Sequence, residues 1–154
     1  AGVDRLEGGY ALTAEDLDAA EEQARVRVEA GDVVLIRTGQ MQLLRQERPD
    51  KVAYGTPAAG PSLQTVEWFR ERDVAAVATD NLTFEVYPSE DPAAQLPVHL
   101  LHLVEMGLTQ GQNWQMEDLA ADCAEDGVYE FLLEASPQPF TNAVGSPVNP
   151  VAVK

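Results

Sequence analysis

Cations, aromatics and sulfur are all scarce in this chain. Its 10 lysines and arginines are outnumbered by 26 aspartates and glutamates, giving a formal charge of −16 at neutral pH. Such a surface repels the phosphates of nucleic acids and of anionic membranes, so neither is an expected partner, and it favours solubility. The single cysteine, Cys123, can form no internal disulfide. It falls in an alanine-rich helical pattern that suits a small buried thiol, and a reducing cytoplasm is the expected compartment. No run approaches the roughly 18 apolar residues of a membrane span, and the opening AGVDRLEGGYALT has no basic stretch followed by an apolar core, so no signal peptide is read there. A Gly-rich phosphate loop before a helix, CxxC and HExxH are also missing, which removes nucleotide, zinc-finger and zincin readings.

What is present is an ordinary globular composition, 45% hydrophobic and 6% aromatic, in 154 residues that read as one domain able to bury a sizeable core. Thr13, with Asp16 three residues on, reads as a helix N-terminus followed by Leu17, Ala20, Ala24 and Val28 on one face and Gly31 at the end. Asp32 to Thr38 reads as a strand buried on both faces. A short helix through Leu43 and Leu44 follows, then an irregular loop from Arg48 to Pro61. Ser62 caps the next helix, which turns Val66 and Phe69 inward, and Val74 to Thr79 is a second buried strand. A right-handed crossover makes the two strands parallel and brings Arg37-Thr38-Gly39 and Thr79-Asp80-Asn81 to one edge, where α/β sheets bind ligands. Asp80 is therefore a candidate substrate-binding residue, against the plainer reading of Asp-Asn as a turn that bonds to its own backbone. Glu85 is read as facing the pocket, and Phe84 and Tyr87 as its aromatic walls, against simple core packing.

Both histidines, His99 and His102, lie in LPVHLLHLVEMGLTQGQNW, from Leu96 to Trp114. Pro97 suits the first turn of a helix and Gly107 its end, with Leu100, Leu103 and Val104 as an apolar stripe. Two readings compete: histidines that flank a packed helix and bond locally, or an active-site His99, since imidazole titrates near neutrality. Further on, Leu108 to Trp114 reads as extended, Met116 to Glu125 as a helix stopped by Gly127, and Val128 to Glu134 as a strand. Asp118, Asp122 and Glu125 read as a solvated helix face, not a metal cluster. Beyond Pro137, Pro139, Gly145, Pro147 and Pro150 exclude helix and interior strand.

Several stretches together carry a resemblance: GDVVLIRTG at 31–39, VAAVATDNLTFEV at 74–86, PVH at 97–99, DLAADCAEDGVYEFLL at 118–133 and GSPVNPVAVK at 145–154. In that order they resemble the C-terminal portion of the cyclase family, metal-dependent amide and lactam hydrolases related to kynurenine formamidase and isatin hydrolase. The resemblance implies an α/β fold with a mixed sheet and peripheral helices, the swivelling β/β/α domain, assembled as a homo-oligomer. It places His99 at the family's downstream active-site histidine, Asp80 in a turn beside the site, and Tyr54 in a loop approaching the substrate pocket. It implies that the GSPVNP tail packs back as a wall and that the last strand joins the sheet. Gln112 stands where many members have a metal-binding glutamate, and an amide is the weaker ligand for a hard cation, so orientation of water or substrate is its expected role. The family's N-terminal HxGTHxD motif does not occur between Ala1 and Lys154. The expectation is thus a small-molecule hydrolase that uses a divalent metal, Mn or Zn, whose ligands lie mostly outside this chain, on a preceding segment or a second polypeptide. The alternative is a catalytically silent structural or binding subunit of the same fold.

Overall fold

A computed structural model describes residues 3–154. The chain runs β1 (Ala11–Leu12), α1 (Ala14–Ala24), β2 (Val33–Ile36), α2 (Gln42–Arg45), α3 (Lys51–Gly55), β3 (Gly60–Pro61), α4 (Thr65–Glu71) and β4 (Ala76–Thr79). It continues through α5 (Pro97–His99), a π-helix (Leu100–Met106), β5 (Thr109–Gly111), α6 (Glu117–Asp126), β6 (Leu132–Glu134) and β7 (Val151–Val153). Three small sheets result: β1 with β3, both parallel; β2-β4-β5, also parallel; and an antiparallel ribbon of β6 and β7. This is an α/β architecture with peripheral helices.

Thr13 caps α1 reciprocally with Asp16, each side chain accepting the other's backbone N–H. The helix stops at Arg25, short of Gly31, because the buried Glu21 carboxylate takes the Val28 N–H at 2.7 Å and turns the chain away. Trp68 and Phe69 of α4 pack with Leu17, Val77, Phe84, Val98 and Leu108 into the main core. The Trp68 indole N–H donates to Asp18 at 2.8 Å, and the Arg72 guanidinium lies 3.9 Å from the indole ring centre, so α1 and α4 are joined by polar and cation–π contacts as well.

β4 is the central strand and β2 an edge; β2 is not buried on both faces, with Val33 exposed and Val34 to Ile36 half-buried. The expected loop from Arg48 to Pro61 contains α3 and β3. At the C-terminal end of β2, Arg37 grips Glu117 with two parallel bonds of 2.9 and 2.8 Å, fixing the start of α6 against the sheet.

The stretch after Pro97 is helical and ends at Gly107 with φ 69°, but beyond His99 it winds as a π-helix and its polarity is the reverse of the expected stripe. Val98 and His102 are fully buried, while Leu100, Leu103 and Val104 are 55%, 48% and 70% exposed. The inward face is set by Val98 in the core and by the His102 ring, which packs edge-on against Phe69 and Phe84. The C-terminal third also departs from expectation. Only Leu132–Glu134 of the Val128–Glu134 segment is strand, and β7 pairs with it, not with the central sheet. Residues of the GSPVNP segment are exposed or half-buried and make no wall.

Candidate active site

The register of the central sheet determines what meets at its C-terminal edge. Ile36 lies opposite Thr79, so the residues just beyond, Thr38, Gly39 and Asp80, are neighbours. Asp80, fully buried, accepts the Thr38 N–H at 2.8 Å, the Thr38 hydroxyl at 2.7 Å and the Gly39 N–H at 2.8 Å. It bolts the two strand ends together and stands behind the site, without an exposed oxygen to offer a ligand. The local turn bonding to its own backbone belongs instead to Asn81. That amide donates to the Ala59 and Phe84 carbonyls and accepts the Thr79 hydroxyl.

These bonds hold the chain through Phe84, which adopts φ 63°, and so deliver Glu85 inward. Glu85 is 1% exposed. Its Oε2 accepts the Val98 N–H at 2.9 Å, and its Oε1 accepts the His99 N–H at 2.9 Å and lies 2.7 Å from His99 Nδ1. The two donors are the otherwise unpaired N–H groups at the start of α5. Gly60 permits this arrangement: a Cβ there would come within 2.5 Å of the Phe84 carbonyl oxygen and 2.6 Å of the Glu85 carbonyl carbon.

On the other side of His99, the Gln112 amide nitrogen lies 2.7 Å from Nε2. Ala78 opposite Gly111 fixes this approach, and only glycine fits, since a Cβ at 111 would lie 2.7 Å from the Ala78 Cβ and 2.8 Å from the Trp114 ring nitrogen. The result is a line of side chains, Glu85–His99–Gln112, running from the buried Glu85 through His99, whose side chain is 17% exposed, to the half-buried Gln112. Phe84, fully buried, meets His99 edge-on with centroids 5.9 Å apart and His102 at 5.6 Å; it is the floor beneath the imidazole, not an open wall.

Tyr54 is buried and hydrogen-bonds through its hydroxyl to Asn113, the residue after Gln112, and burial followed by the Asp80 charge pushes its pKa up to about 12. It stays a neutral donor and steadies the Gln112 turn. His102 differs sharply from His99. Burial drives its pKa down to about 4, Nδ1 meets the Gln110 amide at 3.0 Å, and Nε2 has no partner among the described residues.

The structure thus brings His99, Gln112 and Phe84 into contact, with Asp80 and Tyr54 each one residue removed. Glu85 is the functional group that residue spacing alone does not tie to His99, because a separation of 14 residues carries no periodicity and only the folded turn joins them. Among the described residues no group of three or more His, Cys, Asp or Glu is arranged to hold a metal ion. One imidazole nitrogen and one neutral amide are too few for a divalent cation, so these residues do not fit a metal by themselves.

The sequence profile of the Cyclase family matches residues 2–86. A search of curated proteins returns no match. Among solved structures, a crystal structure of a novel cyclase has 40% sequence identity and a TM-score of 0.87, covering 97% of this chain and 48% of that one. An isatin hydrolase bound to the product analogue thioisatinate has 18% identity and a TM-score of 0.70, covering 95% of this chain and 53% of that one. Isatin hydrolase A from Ralstonia solanacearum has 22% identity and a TM-score of 0.74, with 95% and 54% covered, and these two share the fold. The chain spans about half the length of each of these structures. With the profile covering more than half of its residues, the chain belongs to the cyclase family.

Proposed function

We propose that this chain carries one wall of the active site of a hydrolase that cleaves a carbon–nitrogen bond in a small cyclic or linear amide, or the ester bond of a lactone, by attack of water. The observation that carries the reading is the line Glu85–His99–Gln112, in which a partly exposed imidazole is held at both ring nitrogens by contacts of 2.7 Å. Once the Gln112 amide gives up its contact with Nε2 to a water, an imidazole so placed can take a proton from that attacking water and return it to the leaving nitrogen or oxygen. The Gln112 amide orients water or the substrate carbonyl at the same nitrogen. Phe84 and Tyr54 shape the floor and flank, and Asp80 keeps the strand ends that support them in register. Isatin is a cyclic amide, and the isatin hydrolases of the same fold support a lactam as the first substrate to try.

A divalent ion, manganese or zinc, belongs to this reading only as a group that residues other than those described would mainly hold; the chemistry it would supply there is carbonyl polarisation and a more acidic water. The complement would come from a preceding segment or a second polypeptide. A reducing cytoplasm suits the one buried thiol, Cys123, and no described helix is long and apolar enough to cross a membrane.

The test is hydrolysis of isatin, a formanilide and a lactone by the natively purified assembly, followed by absorbance, with mass spectrometry and metal analysis of the same sample. Turnover accompanied by a bound divalent ion is the expected result. The neutral Gln112 at the site favours one rival, a silent binding subunit. Saturable isatin binding without turnover, in an assembly that stays inactive when manganese or zinc is added, would establish that rival.

A further inference from the structure

We infer that Glu85 is the positioning residue of this site: it holds His99 as the tautomer protonated at Nδ1 and thereby leaves the Nε2 lone pair facing Gln112. The argument is one of donors and acceptors. Glu85 already accepts the Val98 N–H on Oε2 and the His99 N–H on Oε1, so both its oxygens work as acceptors. The third contact, 2.7 Å to His99 Nδ1, must then place one proton between a carboxylate oxygen and an imidazole nitrogen. Imidazole is the more basic of the two, so the proton sits on nitrogen and Nδ1–H donates to Glu85. In neutral His99 the other nitrogen, Nε2, is unprotonated. The contact from Gln112 at 2.7 Å is therefore Nε2–H of the amide donating to the ring, which also fixes the orientation of that amide, its oxygen turned away from the ring.

The carboxylate cannot drift from this task. Asn81 ties the Phe84 carbonyl, the Val86 N–H bonds to the Pro61 carbonyl at 3.1 Å, and Tyr87 exchanges two backbone bonds with Ala58 at 2.8 and 2.9 Å. Glu85 therefore sits on backbone fastened on both sides, and its two helix-capping bonds fix the backbone of His99 by the same oxygens that fix its ring. A histidine held by a carboxylate at one nitrogen keeps its basic nitrogen on the other side, where hydrolysis requires it once Gln112 yields that contact to water; the catalytic consequence rests on the hydrolase reading above, while the tautomer does not.

Ring-nitrogen NMR on uniformly 15N-labelled protein, at a pH of about 8 or above where imidazole is neutral, reads the tautomer directly. The protein has only two histidines, so the spectrum of His99→Gln assigns the His99 signals by their loss. In the unmodified protein Nε2 of His99 is expected at a pyridine-like shift and Nδ1 at a pyrrole-like one. In Glu85→Leu, which offers Nδ1–H no acceptor, the expected result is a shift of His99 toward the Nε2–H form, with the Gln112 amide turned to present its oxygen. An Nε2–H tautomer in the unmodified protein overturns the inference, whether or not the variant folds. So does an unchanged tautomer in folded Glu85→Leu. In the turnover assay the same variant should lose about 10²–10⁴-fold in kcat with little change in KM. A switched tautomer with undiminished turnover supports the assignment and instead removes His99 as the base.

Discussion

Residues 79–86 and residues 128–153 hide opposite kinds of group. In the first stretch Thr79, Asp80 and Asn81 are fully buried and Glu85 is 1% exposed, although all four are polar. In the second, Leu132, Val151 and Val153 are 70%, 47% and 54% exposed, although all three are apolar. Donor supply separates the two. The buried stretch lies where strand ends and a helix start offer unpaired backbone N–H groups, which Asp80 and Glu85 accept, while Asn81 donates to two backbone carbonyls and accepts the Thr79 hydroxyl. The ribbon of β6 and β7 has two strands and no layer over its outer face, so nothing removes its side chains from water. Burial here follows partners, not polarity.

Removing a partner should break the first region hardest. Asp80→Ala strands the Thr38 N–H, the Thr38 hydroxyl and the Gly39 N–H in the interior. A loss on the order of 4 kcal/mol is expected in urea unfolding, since hydrogen bonds to a charged group are each worth more than neutral ones and orphaned donors add their own penalty.

The second effect is smaller and depends on pH. His102 has a folded pKa of about 4 against an ordinary 6.5, because burial disfavours its charged form. The unfolded chain binds this proton below pH 6.5 and the folded chain only near 4, so the contribution is whole above 6.5 and is lost as pH falls toward 4. That loss is on the order of 3 kcal/mol, and urea titrations of His102→Leu should lack it over the same range.

The ribbon should respond least. Leu132→Ser alters a side chain that is 70% exposed, and a change within about 0.5 kcal/mol is expected by the same unfolding measurement. A cost of several kcal/mol would mean that the face is covered in solution, and the contrast between the two regions would fail.

Local signals in the sequence carried much of the frame. The Thr13–Asp16 capping box, the parallel pair formed by residues 33–36 and 76–79, the stops at Gly107 and Gly127 and the buried Cys123 each follow from a motif within a few residues. The meeting of His99 with Gln112 was reachable only through family resemblance, because the contact is made across β5 and the π-helix. Other features depend on tertiary partners that no window contains. The outward turn of Leu100, Leu103 and Val104 depends on the ring of His102 packing against Phe69 and Phe84. The place of β2 at a sheet edge depends on which strands lie beside β4, since a continuous apolar run reads the same at an edge and in the centre. Glu85 escaped notice as a partner of His99 because its backbone approaches through Gly60, a residue whose role appears only as the space its missing Cβ leaves.

The most direct test of the account is the turnover of His99→Ala in the intact assembly, beside its melting profile. A loss of about 10²-fold or more in kcat with folding preserved is predicted, because the partly exposed imidazole is the reactive member of the Glu85–His99–Gln112 line. Near-normal turnover in a folded His99→Ala protein would contradict it, and would leave the buried polar stretch as architecture alone.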